Sequence, residues 1–264
     1  MSLVPNVTKQ RLQSNKVAFG MSLRMARTMD VPRAAASSGY HYISIDLEHS
    51  AMPLDVAAQF CTVGLDAGVT PIVRLPTKDA RIATPLLDAG CQGIIVPHVN
   101  NADDIREAIS VCRYPPYGGR SIATCVQAGW RKIPVATLGP MINDNVLMIA
   151  LLESWEAIEN VEEIAAVEGL DILSIGSNDL LTDMGIPGGF DHPRVIEAYE
   201  AVIAAARRNG KWTRIGGIFE PQAVRGSIAL GSRMVTLDND FRYLLRAMRA
   251  SVNDISSGVD PALV

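Results

Sequence analysis

Two carboxylates stand out by their placement. Glu153 ends the apolar run 146–153, and Asp179 follows the apolar run 170–175 across the turn Gly176-Ser177-Asn178-Asp179. Between the runs, residues 155–167 carry Ile158, Val161, Ile164 and Ala165 at helical spacing, and Gly169 stands where a helix closes. A strand–helix–strand unit this short makes the two strands parallel neighbours, so both acids leave the sheet on one side. Such a pair suits a hard divalent cation that keeps waters for a substrate to displace. Taken singly, each acid reads equally well as a helix cap or a solvated loop residue.

Other predicted strands end in matching groups. In Tyr42-Ile43-Ser44-Ile45-Asp46-Leu47-Glu48 the period of two sets Ser44, Asp46 and Glu48 on one face and the apolar residues on the other. Buried acids without partners are costly, so they need an arginine or a metal nearby. His49 follows directly, and an imidazole here suits a general base as well as a structural role. Arg74 ends the strand 71–74 and calls for an anion: the acids of the second strand, or an oxyanion formed during a reaction. His98 reads as polar lining, strand seven runs on to Glu220, and strand eight ends at Asp238-Asn239-Asp240, whose acids read as strand-end groups or equally as caps for a helix near Phe241.

Absences narrow the chemistry. The five lysines (Lys9, Lys16, Lys78, Lys132, Lys211) avoid the C-terminal ends of the strands, which argues against a Schiff-base mechanism. Gly-rich phosphate loops after the last two strands are missing, as are P-loop, GxSxG and HExxH motifs. Two acids, an arginine and a histidine fit enolate chemistry: a cation polarises a ketone, a base removes the α-proton, and the charges hold the enolate.

The elements that must position these groups alternate regularly. Helical patterns ending near Gly39, Gly68, Gly90, Gly169, Gly210 and Gly231 each precede an apolar strand. With strands at 17–23 and 146–153 there are eight βα units in 264 residues, the rhythm of a single-domain (β/α)₈ TIM barrel spanning 1–264. A doubly wound open sheet is the alternative, but no Gly-rich turn follows the first strand. The connection 99–145 is a long insertion after the fourth strand. It holds Tyr114-Pro115-Pro116-Tyr117-Gly118-Gly119-Arg120, where Arg120 suits an anion clamp or an interface salt bridge. The net charge of −4 argues against nucleic-acid or anionic-membrane partners, and no membrane span or leader is expected. Cys61, Cys91, Cys112 and Cys125 lack CxxC spacing and read as reduced thiols of a cytoplasmic protein.

The motifs Ile45-Asp46-Leu47-Glu48-His49, Val73-Arg74, Leu86-Leu87-Asp88-Ala89-Gly90, Val96-Pro97, Arg113-Tyr114-Pro115-Pro116-Tyr117-Gly118, Glu153-Ser154 and Ile175-Gly176-Ser177-Asn178-Asp179-Leu180, in this order, resemble the HpcH/HpaI family of class II aldolases over nearly the whole chain. The resemblance implies a metal-dependent lyase that cleaves a 4-hydroxy-2-oxo acid to pyruvate and an aldehyde. It implies Glu153 and Asp179 as ligands of Mg²⁺, Mn²⁺ or Co²⁺, and His49 as base, Arg74 as the group steadying the enolate. Substrate contacts fall at Ser177, Asn178, Asp179, Leu151 and Arg74. Asp88 matches the acid that strengthens the histidine. Because Asp88 closes a helix, it lies at the barrel's bottom and reaches a His49 only across a subunit contact, in a homo-oligomer that the resemblance gives as a hexamer. Leu151 replaces a common Gln, Ser177 a common Pro, and Arg120-Ser121-Ile122-Ala123 a more usual Arg-Gly-Val-Gly. These departures touch the acceptor side. The same enolate would serve a decarboxylase of oxaloacetate-like acids or an acyl-CoA lyase, and Leu151 and Ser121 keep a non-catalytic 2-oxo-acid-binding oligomer as a further alternative.

Overall fold

Eight parallel strands close into a barrel in chain order: β1 (Ala18–Leu23), β2 (Tyr42–Asp46), β3 (Thr70–Arg74), β4 (Gly93–Val96), β5 (Leu147–Leu152), β6 (Ile172–Gly176), β7 (Trp212–Gly216) and β8 (Met234–Asn239). The structure is a computed structural model that describes residues 2–123 and 126–260. Every neighbouring pair is parallel, and β8 returns to β1 with a register shift at Gly20/Met21. This is the (β/α)₈ architecture that the alternating pattern calls for.

The two-residue period sorts each strand between two cores. Ile43, Ile45, Val73, Ile94 and Val96 face the helix layer and pack with Phe60, Cys61 and Leu86. Tyr42, Ile72, Ile95, Leu147, Ile149, Leu151, Ile172 and Met234 fill the lower barrel interior. Gly20 is required there: a Cβ would lie 2.1 Å from the Tyr42 ring, which crosses the barrel to bond Thr236 through its hydroxyl (2.8 Å). Higher up, small and polar residues replace the bulky ones, and the interior opens.

The helix Val7–Gln13 closes the bottom. Leu12 enters the inner core. Asn6 donates through Nδ2 to Gln92 O (3.0 Å) and Asn145 O (2.8 Å), and Thr8 N donates to Thr70 Oγ1 (3.0 Å).

Several boundaries differ from the sequence-based expectation. β2 stops at Asp46 because its carboxylate accepts from Glu48 N (3.1 Å) and His49 N (3.0 Å), bending the chain out of the ladder. β7 stops at Gly216, since Gly217 turns the backbone at φ +83°. The helix expected over 155–167 is two, Trp155–Glu159 and Val161–Ala165, parted at Asn160, whose amide reaches Asn100 O (3.0 Å). The insertion carries the helices Ala102–Cys112 and Val135–Asn145. Arg120 is no free anion clamp: it is buried, stacked 4.8 Å over Tyr114 and paired with Asp88 at 2.5 Å within the chain. Cys61, Cys91 and Cys112 are buried and free, while Cys125 lies outside the described residues. Among the described residues no helix is long and apolar enough to cross a membrane.

Candidate active site

Where the bulky interior gives way, a cavity of about 410 Å³ opens at the C-terminal ends of the strands. Its wall includes His49, Arg74, Leu151, Glu153, Ser177, Asn178 and Asp179, so seven of the eight expected site residues converge. Asp88 does not. It ends the helix Ala83–Asp88, which leads down into β4, and it pairs with Arg120.

Asp46 organises the β2–β3 side. It is 1% exposed, and it accepts from Arg74 Nε (3.1 Å) and Nη2 (2.5 Å) and from Arg24 Nε (2.8 Å). Burial alone would raise its carboxyl, but the hydrogen bonds and charge of Arg74, with Arg24 behind, hold it below the usual carboxylate range. Its turn bonds to the amides of Glu48 and His49 carry His49 to the rim. There the ring is half-exposed and stands 3.9 Å from Glu48.

Glu48 and Glu153 face each other across a third group. His98 places Nε2 2.8 Å from Glu48 Oε1 and Nδ1 3.1 Å from Glu153 Oε2, and its backbone N–H donates to the same Glu153 oxygen (3.1 Å). His98 holds a left-handed backbone at φ +52°, uncommon for a side chain of this size and over-determined here by those contacts. The expectation of mere polar lining understated it. Glu48 Oε2 lies 2.9 Å from Arg74 Nη1 at an angle too poor for a hydrogen bond, so this buried oxygen lacks a proper donor.

Glu153 is buried just past β5, and its carboxyl is pushed up to about 7. Burial is the first cause; the charges of Glu48 and Asp179 add to it, and His98 opposes it. Gly176 makes this position possible, because a Cβ there would meet Glu153 Cγ at 2.6 Å and Oε1 at 2.8 Å. Asp179 stands in the first turn of the helix Ser177–Asp183, one step beyond the expected strand end. Two like charges in mutual range, one of them buried, fit a cation between them. Among the described residues no three His, Cys, Asp or Glu side chains form an ion-holding group, so an ion here would take two carboxylates and complete its shell with water or substrate oxygens.

Other expected site residues have defined tasks. Ser177 is buried and its hydroxyl accepts from Tyr199 (2.7 Å), so it borders the cavity without offering a free side chain. Asn239, not Asp238 or Asp240, caps the helix Asp240–Ser256 by accepting from Arg242 N (3.0 Å). Asp240 accepts from the amides of Arg24, Met25 and Ala26 and pins the loop after β1. Asp238 pairs with Arg242 (2.8 Å) and Arg246 (2.7 Å). Arg24, Arg214 and Arg242 line the cavity and were not singled out from the sequence. Arg214 carried the same signal as Arg74, a cation inside an apolar strand.

The profile of the HpcH/HpaI aldolase/citrate lyase family matches residues 25–243. This chain belongs to that family. It is 36% identical over 218 residues to the 4-hydroxy-4-methyl-2-oxoglutarate aldolase tasA of Hapsidospora irregularis, covering 81% of this chain and 80% of that one. It is 31% identical over 240 residues to the 2-keto-3-deoxy-L-rhamnonate aldolase of Escherichia coli O17:K52:H18, covering 90% and 89%. The barrel superposes on the HpcH/HpaI aldolase from Desulfitobacterium hafniense DCB-2 with a TM-score of 0.89 at 30% identity, over 94% of this chain and 95% of that one. The chain is an enzyme of the aldolase and lyase kind, as the resemblance implied.

Proposed function

We propose that the protein is a divalent-metal-dependent aldolase that cleaves a 4-hydroxy-2-oxo acid to pyruvate and an aldehyde or ketone. The observation that carries this is the convergence of Glu153 and Asp179, on adjacent βα units, with Arg74 and His49 around one cavity. A Mg²⁺, Mn²⁺ or Co²⁺ ion held by those two acids would supply Lewis-acid polarisation of the 2-oxo group.

The chain's own residues do the rest. The turn at Ser177-Asn178-Asp179 and Leu151 shape the space for the 2-oxo acid, and the Asn178 and Asp179 backbone borders its carboxylate. Arg74 is fixed by Asp46 and directs charge into the cavity, which suits the stabilisation of developing negative charge on the former ketone oxygen. His49, half-exposed and carried by the Asp46 turn, takes the proton of the 4-hydroxyl as the C3–C4 bond breaks and delivers a proton to C3 of the enolate to complete pyruvate; in the reverse direction it removes a methyl proton and protonates the oxygen of the new alcohol. The relatives named above act, by their names, on a branched oxo-diacid and a sugar-derived oxo acid, which sets the substrate class without choosing within it.

The active form is a homo-oligomer in which Asp88 of one subunit approaches His49 of another. Support comes from the helix Asp240–Ser256, which buries none of its residues and leaves Phe241, Leu244, Met248, Val252 and Ile255 exposed, with Leu245 beside them. Mixing inactive His49→Ala and Asp88→Ala proteins under subunit exchange should restore activity; a fully active monomer contradicts this arrangement. The function itself is tested by pyruvate release from a panel of 4-hydroxy-2-oxo acids, with and without each ion. Release that is unchanged by EDTA, or absent for every acid, overturns the reading.

A further inference from the structure

Four arginines line the cavity, and one differs from the others. Arg24 and Arg74 are neutralised by Asp46, and Arg242 by Asp238. Arg214, on β7, forms no ion pair among the described residues and bonds only to neutral hydroxyls. Nη1 donates to Ser174 Oγ (2.7 Å), and Nε (3.3 Å) and Nη2 (2.9 Å) donate to Thr236 Oγ1. Tyr42 shares that threonine, so the surroundings are hydroxyls throughout. Ser174 and Thr236 take three of the five guanidinium N–H groups and the Tyr42 hydroxyl also interacts with the group, so every partner is neutral. A partly buried guanidinium with no acid beside it is the half of a charge-assisted pair that a carboxylate completes.

The register shows where that carboxylate lies. Gly216 ends β7 directly opposite Gly176, which ends β6. A Cβ at Gly216 would stand 2.9 Å from Arg214 Nη1 and 3.1 Å from Nη2; one at Gly176 would strike the Glu153 carboxylate. Two glycines side by side thus hold open an anionic group and a cationic group at one level of the barrel. Gly216 is not forced by its backbone, since it is absent from the positive-φ glycines, so its lack of a side chain is explained by the open fork.

The geometry points to Arg214 as the cationic subsite for the carboxylate of the 2-oxo acid, lying beside the acids that would hold the ion. This rests on reading the cavity as a 2-oxo-acid site. It adds a charged anchor to the neutral backbone contacts at Asn178 and Asp179. Of the pocket's arginines, it makes Arg214 the one that selects an acid over its neutral ester, while Arg74 serves the reacting oxygen. Ser174 and Thr236 act as positioning residues that aim the fork.

The test separates this subsite from the ion and from catalysis. Calorimetric titration of EDTA-treated protein with pyruvate and with methyl pyruvate compares an anion and a neutral ester of similar shape. The wild type should bind pyruvate about tenfold more tightly, the scale of one charge-assisted contact. Arg214→Gln should abolish the preference and Arg214→Lys should keep part of it. Gly216→Ala leaves the charge in place but covers the fork, and it should reduce the preference as well, which keeps the test decisive should Arg214→Gln fold poorly. A wild type with no preference, or a preference untouched by both Arg214→Gln and Gly216→Ala, overturns the assignment. Loss of metal-dependent pyruvate release with the preference intact would instead fault the proposed function and leave the anion subsite standing.

Discussion

The two ends of this barrel solve the burial of polar groups in opposite ways. At the bottom, neutral contacts predominate, Asn6 with Gln92 and Asn145, Thr8 with Thr70, and Gln127 with Cys91 O (2.7 Å), and the buried charges stand in discrete pairs, Arg120 with Asp88 and Arg113 with Asp171. At the top, charges are crowded: Asp46, Glu48, Glu153 and Asp179 stand among Arg24, Arg74, Arg214, Arg242, His49 and His98. Glu48 keeps an oxygen without a proper donor, and Glu153 is held with its carboxyl near 7. Neutral satisfied pairs contribute stability at little risk, whereas a frustrated cluster is kept for chemistry. The difference teaches which end to perturb for which property.

The largest effect belongs to the top. Arg74→Lys should lower pyruvate turnover about 10²–10³-fold, the scale of one lost oxyanion donor. A point charge cannot replace the fork that reaches Asp46 and Glu48 together. Near-normal turnover would make Arg74 a structural partner only. Next, a divalent ion at about 100 times its Kd should stabilise the fold by about 2.7 kcal/mol, raising Tm by some 5–10 °C. Glu153→Gln should erase that rise. A rise that persists in this variant would place the ion elsewhere.

At the bottom, Asn6→Ala should cost about 1–3 kcal/mol of stability by removing a donor from Gln92 O and Asn145 O and the acceptor that caps Lys9 N, with kcat and KM unchanged. Denaturant unfolding measures the first and steady-state kinetics the second; a kinetic change without a stability change would blur the division between the ends. The smallest effect is pH-linked. His41 accepts Phe19 N–H at Nδ1 (3.0 Å), and burial, then the charge of Arg11, hold its pKa below 6.5. A base depressed in the fold binds its proton more readily when unfolded, so its contribution is complete above pH 6.5 and fades as pH falls below that. Asp46, depressed in the acid sense, loses its contribution only as pH drops below about 3.8. The raised Glu153 carboxyl adds an opposing gain as pH falls from about 7 toward 4.5, so the His41 loss should appear as the difference between the wild-type and His41→Gln stability–pH curves, well separated from the Asp46 loss below about 3.8.

Much of this was legible in the residues. The alternation of βα units gave the barrel, and period two gave the inward Asp46 and Glu48, because those signals are local. The turn that stops β2 was hidden, since it depends on the Asp46 side chain capping its own chain. His98 was underread because its importance comes from a left-handed backbone and from partners on β2 and β5, neither visible in a tetrapeptide. Arg214 was missed for another reason. Reading strand seven on to Glu220 hid the Gly216-Gly217 break, and with it the glycine that keeps the arginine open. The place of Asp88 at the wrong end for His49 was predicted, and its bond to Arg120 was not.

We propose that the top of the barrel generates an enolate with the help of an ion held by Glu153 and Asp179. Proton–deuterium exchange at the methyl group of pyruvate, followed by NMR in heavy water, tests it without any assumption about the acceptor. Exchange should require Mg²⁺, Mn²⁺ or Co²⁺, stop with EDTA, and be lost in Glu153→Gln and Asp179→Asn. Exchange at the full rate in metal-free protein or in either variant, or none with any ion, would contradict it.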